Sequence, residues 1–355
     1  MKALVLSGGS GTRLRPFSYS MPKQLIPVAN TPVLVHVLRN IEELGVKEIG
    51  VVVGDRGAEI EAAIGDGSRF GARVTYLRQD APRGLADTVA VARDFLGDDD
   101  FVMYLGDIML PDGIADAAAE FTARRPAAQV LVHKVADPRA FGVVELGPDG
   151  EVQRLVEKPE HPRSDLALCG VYFFTSAVHE AVATIAPSPR GELEITDAVQ
   201  WLLTHGADVR AHRYAGYWKD TGRVEDVLEC NRHLLDRAAR SVSGTVDQDS
   251  ELVGEVVVEP GARIVRSRIT GPVIVGAGSL VQDSRLGPYT SVGRDCVVHG
   301  SRLEDSIALD GASVTGIDGL RHSLIGRSAS VGAVREDSDH LRLVVGDHTQ
   351  VEVAA

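Results

Sequence analysis

Eleven residues near the start of the chain, LSGGSGTRLRP (Leu6–Pro16), set three glycines, several hydroxyl side chains and two arginines directly after the apolar run Ala3–Leu6. Glycine lets a backbone approach a ligand closely and adopt dihedrals that other residues avoid. The N–H groups of Gly8, Gly9, Ser10, Gly11 and Thr12 can therefore cradle phosphate oxygens. Arg13 within the loop and Lys23 beyond it add positive charge. The stretch is neither of the two commonest phosphate loops: Gly9, Gly11 and Leu14 fail G-x-G-x-x-G, and no Gly-Lys-Ser/Thr closes a P-loop. Asp107 ends the apolar run FVMYLGD, and Asp220 lies in YWKDTG where another apolar run stops. An aspartate at a strand end is by itself more often a turn residue than a metal ligand. Mg²⁺ asks for only one or two carboxylates, with phosphate oxygens and water completing its shell. Only the fold can bring these two aspartates together.

The elements that must position these residues fall into two kinds. Up to about residue 238, apolar runs at 3–6, 48–54, 73–77, 101–107 and 128–135 alternate with helical patterns at 32–45, 84–97 and 113–125. Strands apolar throughout, separated by helices, predict a parallel α/β sheet covered on both faces. Ligands in such sheets sit beyond the C-terminal strand ends, where the glycine-rich loop and Gly106–Asp107 both fall. After about residue 240 helical patterning stops. Ile274, Leu280, Leu286, Val292 and Val298 recur every six residues, with Gly278, Ser284, Thr290, Cys296 and Arg302 four positions after each. Val258 and Ile264 share the register, and Ile325 and Val331 resume it. One apolar and one small residue per six predicts a parallel β-helix. The Asp-rich stretches 304–322 and 335–340 are expected to interrupt it.

The formal net charge of −13 argues against nucleic acid or an anionic membrane as partner. A small anionic ligand in a local basic pocket remains compatible with it. Cys169, Cys230 and Cys296 are odd in number and far apart, which makes neither a disulfide framework nor a zinc site. The N-terminus enters a strand without a signal-like segment, and no apolar run approaches the roughly 18 residues of a membrane span. The expected location is the cytoplasm.

The loop LSGGSGTRLRP with PKQLIPV (22–28) resembles the sugar-1-phosphate nucleotidyltransferases. The similarity continues through GDGSRFG (65–71), LRQDAPRGLAD (77–87), YLGD (104–107), FGVVEL (141–146), EKP (157–159), RGELEITD (190–197) and YWKDTG (217–222). The whole chain is similar to the long-form glucose-1-phosphate thymidylyltransferases, which carry a C-terminal left-handed β-helix. The resemblance implies an α/β fold with a Rossmann-like mixed, mainly parallel sheet in a catalytic domain at 1–238. A hexapeptide-repeat left-handed β-helix would follow at 239–355. It implies a reaction in which a sugar phosphate oxygen attacks the α-phosphorus of a nucleoside triphosphate and pyrophosphate leaves. Both reactants are anions, so positioning and charge neutralisation are the main tasks.

Carried over motif by motif, Arg13 and Lys23 are the catalytic cations. Leu6, Gly8, Gly9, Ser10, Gly11, Thr12, Arg13, Gln24, Gln79 and Gly84 bind the nucleotide. An amide offers donor and acceptor side by side, which suits a pyrimidine edge. Lys-Gln-Leu favours dTTP over GTP. Glu157 accepts from sugar hydroxyls, Lys158 and Arg190 hold the sugar phosphate, and Gly142, Gly170 and Val171 present backbone groups to the ring. Asp107 and Asp220 hold Mg²⁺. The implied partners are a nucleoside triphosphate and a sugar or cyclitol 1-phosphate, with glucose 1-phosphate leading.

One departure concerns the acceptor: the family reads GDN where this chain reads GDI, so Ile108 replaces an amide with an apolar side chain. A less polar or unusual acceptor then becomes an alternative, as does a guanylyl- or uridylyltransferase. A catalytically silent regulatory subunit is opposed by the presence of every charged motif position. Acyl transfer in the β-helix would need a base such as His299, His322 or His348, and nothing nearby marks an acyl-carrier site. The C-terminal half is read as an assembly or regulatory module, and a homo-oligomer of unspecified size is expected.

Overall fold

Runs rich in valine and leucine form the strands at the centre of the sheet. In the computed structural model, which describes residues 1–333 and 347–352, β1 (Lys2–Ser7), β2 (Glu48–Val53), β3 (Arg73–Arg78) and β4 (Phe101–Leu105) lie parallel in the order β4-β1-β2-β3. The chain divides into two compact units, Met1–Ser10 with Val33–Asp220, and Gly11–Pro32 with the chain from Thr221 onward.

In the first unit α1 (Val33–Glu43) crosses from β1 to β2, burying Leu34, Val37, Leu38 and Ile41 at helical spacing. The single helix expected at 84–97 is two, α2 (Leu85–Val91) and α3 (Arg93–Leu96), broken at Ala92. The helix α4 (Ala115–Arg124) follows β4. Between them β5 (Ile108–Met109) leaves the end of β4. The remaining strands are β6 (Ala128–Lys134), β7 (Gly142–Leu146), β8 (Val152–Glu157), β9 (Leu166–Phe174), β10 (Val209–Arg213) and β11 (Lys219–Asp220). The strand β9 is antiparallel to β4, β6 and β7, while β10 runs parallel to β6, so nine strands form one mixed sheet. The helix α5 (Ile195–Thr204) contributes Ile195, Ala198, Val199 and Leu202 to the core that Leu4, Met103, Val130 and Phe174 share. β7, β8 and β9 are absent from the strands expected from sequence. β9 is interrupted by Gly170 (φ +83), with its register shifting between Leu168 and Tyr172. A glycine inside an apolar run marks such a bulge.

In the second unit short strands from Ser241 to Gly332 stack into three parallel ladders, consistent with a left-handed β-helix. Val256 pairs with Val273, Ile264 with Val281 and Arg268 with Arg285, so one coil is 17 residues, two six-residue sides and one of five. This corrects the strict six-residue register. Ile269, Val275, Val281, Leu286, Val292, Val298 and Leu303 form the interior. Ile274 and Leu280 stand one residue before it. The small column has two uses. Ser284 N–H donates to Ser267 Oγ and Ser301 N–H to Ser284 Oγ, each at 3.1 Å, tying coil to coil. Gly278 belongs to a corner ladder of left-handed residues, Gly261, Gly278, Asp295, Gly311 and Ser328. The stretch 304–322 does not interrupt the prism: it holds the strands Ile307–Ala308, Ser313–Thr315 and Asp318–Arg321. The coil there is one residue shorter, Ser291 pairing with Ile307 and Val297 with Ser313, and a shift between Arg302 and Leu303 restores the register. The stretch 335–340 lies outside the described residues.

The helix α6 (Val224–Leu235) closes one side of these coils. Buried Asn231 donates to Tyr289 O at 3.0 Å, and its Oδ1 accepts from Ser291 Oγ at 2.7 Å and Ala29 N at 2.9 Å. Arg232 makes a two-pronged ion pair with Asp305, both contacts 2.6 Å. Among the described residues no helix is long and apolar enough to cross a membrane.

Candidate active site

The strand β1 delivers an exposed turn, Gly8–Ser10, at its C-terminal end. A side chain at Gly8 would meet Gly54 N at 3.6 Å and Gln79 Oε1 at 3.7 Å. Leu6 itself is core: its side chain is buried and its carbonyl accepts from Gly106 N at 2.9 Å. A Cβ on Gly106 would stand 2.8 Å from both Leu6 O and Ser7 Oγ, so only glycine lets the end of β4 close on β1.

The rest of the loop belongs to the second unit. Gly11 is left-handed (φ +63), and a Cβ there would meet Lys23 Cβ at 2.9 Å, so the turn brings Lys23 against Gly11. Thr12–Leu14 is a single 3-10 turn with Thr12 and Arg13 exposed and Leu14 buried. Gln24 is buried, and its Oε1 has no hydrogen-bond partner among the described residues.

The two metal candidates come together through one antiparallel pair. β5 and β11 set Ile108 opposite Asp220 and Met109 opposite Lys219. Asp220 thus lies across from the residue that follows Asp107. Asp107 is itself buried, at 8 % exposure. Trp218 Nε1 donates to Cys169 O at 2.9 Å, and Tyr217 N donates to Asp112 Oδ2 at 2.9 Å, which anchors the segment ahead of β11. Ile108 is buried, and a Cβ on Gly170 would meet its Cγ1 at 2.9 Å. The departure from GDN therefore packs an apolar side chain onto the β9 bulge. Val171, fully buried, pairs with Tyr104 beside it. Among the described residues no group of three or more His, Cys, Asp and Glu could hold a metal, so an ion here would draw its other ligands from elsewhere.

Gln79 follows β3 and is held by acceptors. Its Nε2 donates to Asp87 Oδ2 at 2.7 Å and to Gly84 O at 3.3 Å. Arg83 Nε reaches the other oxygen of Asp87 at 3.2 Å. Gly84 (φ +109) threads past Leu193, where a Cβ would stand 2.4 Å from the carbonyl oxygen.

Opposite charges converge at the end of β8. Glu157 accepts from Thr196 Oγ1 at 2.7 Å and pairs with Lys158 at 3.3 Å and Arg190 at 3.4 Å. Lys158 holds a left-handed backbone (φ +42), uncommon for a lysine. Arg190 also contacts Glu192 at 3.4 Å and Glu194 at 3.2 Å. Glu194 is buried and accepts from Ser188 Oγ at 2.9 Å; burial raises its carboxyl pKa. Burial also raises that of Asp197, with the charge of Glu157 adding to it. A Cβ on Gly142 would meet Leu168, Glu157 and Thr196 at 2.6–3.1 Å, which holds β7 close to this cluster.

Two buried acids of these clusters were not singled out from sequence. Asp87 and Glu194 are, with Asp107, the buried carboxylates among the described residues. Both lie inside the quoted motifs GLAD and RGELEITD. The available signal was an acid among buried neighbours, Ala86, Thr88 and Val89 around Asp87, and Ile195 and Thr196 after Glu194.

Comparison with known proteins agrees with the motif reading. The nucleotidyl transferase family model matches residues 2–237. A glucose-1-phosphate thymidylyltransferase of Streptomyces griseus is 52 % identical over 355 residues, covering 100 % of both chains. One of Streptomyces antibioticus is 51 % identical over 354 residues, covering 99 % of each. Among solved structures, a UDP-glucose pyrophosphorylase complexed with UDP-glucose is similar with TM-score 0.59 at 24 % identity, over 66 % of this chain and 98 % of that one. That likeness speaks for the fold. By family match and by full-length identity, the chain belongs to the nucleotidyl transferase family.

Proposed function

We propose that the chain transfers a thymidylyl group from dTTP to glucose 1-phosphate. A phosphate oxygen of the sugar phosphate attacks the α-phosphorus, the bond from that phosphorus to the oxygen bridging to the β-phosphate breaks, and pyrophosphate leaves. The observation that supports the reaction class is the pairing of Ile108 with Asp220, an acid directly across from the residue that follows Asp107. The substrate pair follows the full-length relatives, whose names state it.

Two hard carboxylates, with positions left for phosphate oxygens and water, suit Mg²⁺. Asp107 and Asp220 would hold it, and bound there it would lower the repulsion between the two anions. The chain's own residues do the rest. Backbone N–H groups of Gly8 to Thr12 receive phosphate oxygens, and Arg13 and Lys23 carry the charge that offsets the triphosphate and the departing pyrophosphate. Gln24, Gln79 and Gly84 read the base. Glu157 accepts from sugar hydroxyls, and Gly142, Gly170 and Val171 border the ring. Lys158 and Arg190 take the sugar phosphate, for which Arg190 exchanges part of its carboxylate contacts. Residues 1–238 form the catalytic domain of this proposal. The C-terminal part, residues 239–355, serves assembly of a homo-oligomer, and the protein works in the cytoplasm.

Pyrophosphate release over a matrix of nucleoside triphosphates and sugar or cyclitol 1-phosphates tests the reading. The fastest release is expected from dTTP with glucose 1-phosphate. No release with any pair would overturn the reaction, and release with GTP but not dTTP would overturn the base assignment.

A further inference from the structure

We propose that Asp87 is a specificity-determining residue, fixing the Gln79 amide so that the base must present a hydrogen-bond donor to it. The proposal deepens the nucleotide reading above and rests on it. An amide has two ends, and which one faces a ligand decides which base edge fits. Here the neighbours decide. Asp87 Oδ2 and Gly84 O, 2.7 and 3.3 Å from one end of the Gln79 amide, are both acceptors. Only the NH₂ end can face them. Arg83 donates to the second oxygen of Asp87, and an ionised carboxylate accepts and does not donate. Asp87 is 7 % exposed on the first turn of α2, where packing holds its position.

Turning the NH₂ toward Asp87 turns Oε1 the other way, and Oε1 lies over Gly8 at the end of β1. The end of Gln79 offered to a base on this side is thus a fixed acceptor. Thymine and uracil carry an N3–H donor on the edge that pairs. Cytosine presents a bare N3 at the same position, and adenine a bare N1. Two acceptors facing each other leave both unpaired, which a site built around a hydrogen bond rejects strongly. Asp87 thereby selects, without touching them, bases that carry a ring N–H donor at this edge, thymine and uracil by N3–H and guanine by N1–H, over cytosine and adenine.

The test compares kcat/KM for dTTP, UTP and dCTP at saturating glucose 1-phosphate in the full-length wild type, D87N and R83A, with binding of dTTP and dCTP measured by calorimetry. The wild type should favour dTTP and UTP over dCTP by about 100-fold or more. An Asn at 87 can donate as well as accept, which frees the amide to turn. D87N should therefore narrow the dTTP to dCTP ratio by about tenfold through the nucleotide KM, with KM for glucose 1-phosphate unchanged. R83A, which keeps the Asp87–Gln79 bond, should retain the wild-type ratio. In a Q79A background D87N should have no further effect on the ratio. An unchanged ratio in D87N would overturn the proposal. So would wild-type binding of dCTP within about threefold of dTTP, whether or not D87N folds. Absence of pyrophosphate release with every pair would instead overturn the reaction proposed above, leaving the binding ratio to decide this proposal.

Discussion

Buried polar groups serve opposite ends in the two units. In the α/β unit Asp87, Asp107 and Glu194 are carboxylates taken out of water, each beside a cluster at the strand ends. In the coils the buried polar side chains are hydroxyls, and Ser267, Ser279, Ser284, Ser301 and Ser306 bond from coil to coil. A hydroxyl that donates to one coil and accepts from the next satisfies itself inside a repeating ladder. A buried carboxylate cannot, because it needs a cation or several donors. The carboxylates are therefore expected to govern substrate binding and turnover, and the ladders to govern stability with no effect on chemistry.

The largest effect expected is on turnover. D107N and D220N should each lower kcat by about 100-fold or more, measured by pyrophosphate release at saturating substrates and Mg²⁺. Normal rates in either variant would break the comparison at its strongest point. Next comes a change in the second unit. Asn231→Ala removes three hydrogen bonds around one buried amide, and should lower stability by about 2–4 kcal/mol in denaturant titration, with kcat per folded molecule unchanged. Glu194→Gln releases Arg190 from one of its carboxylates and should shift KM for glucose 1-phosphate severalfold while leaving KM for dTTP alone. Ser284→Ala should cost about 1 kcal/mol, the scale of one coil-to-coil bond. The smallest effect is a pH dependence. The Asp197 carboxyl has its pKa raised by burial, so its contribution to stability is present below the unfolded value of about 3.9 and is lost as pH rises through the folded value. Asp197→Asn removes that loss, so its Tm relative to the wild type should be more favourable at neutral pH than at about pH 4.

The same contrast explains what could be read from the sequence. The strands β1 to β4 were legible because buried parallel strands are apolar throughout, and their ends located the glycine-rich loop and Asp107. β9 was not, since Gly170 divides it at the bulge against which Ile108 packs. The β-helix announced itself through apolar and small residues recurring in six. A 17-residue coil drifts against that count by one position per turn, and this moved Ile274 and Leu280 out of the interior register. Asp87 and Glu194 stayed hidden because their meaning lies in partners brought by the fold. Gln79 reaches Asp87 only when the loop after β3 turns onto α2, and Arg190 meets Glu157 from 33 residues away.

The central claim is that a buried carboxylate at a strand end serves chemistry, and Asp107→Asn tests it most directly. Its kcat and its Tm should be measured on the same full-length preparation. The account predicts a fall in kcat of about 100-fold or more in a variant that still unfolds cooperatively within a few degrees of the wild-type Tm. A near-normal kcat with a collapsed Tm would contradict it, assigning Asp107 to the fold and not to the reaction.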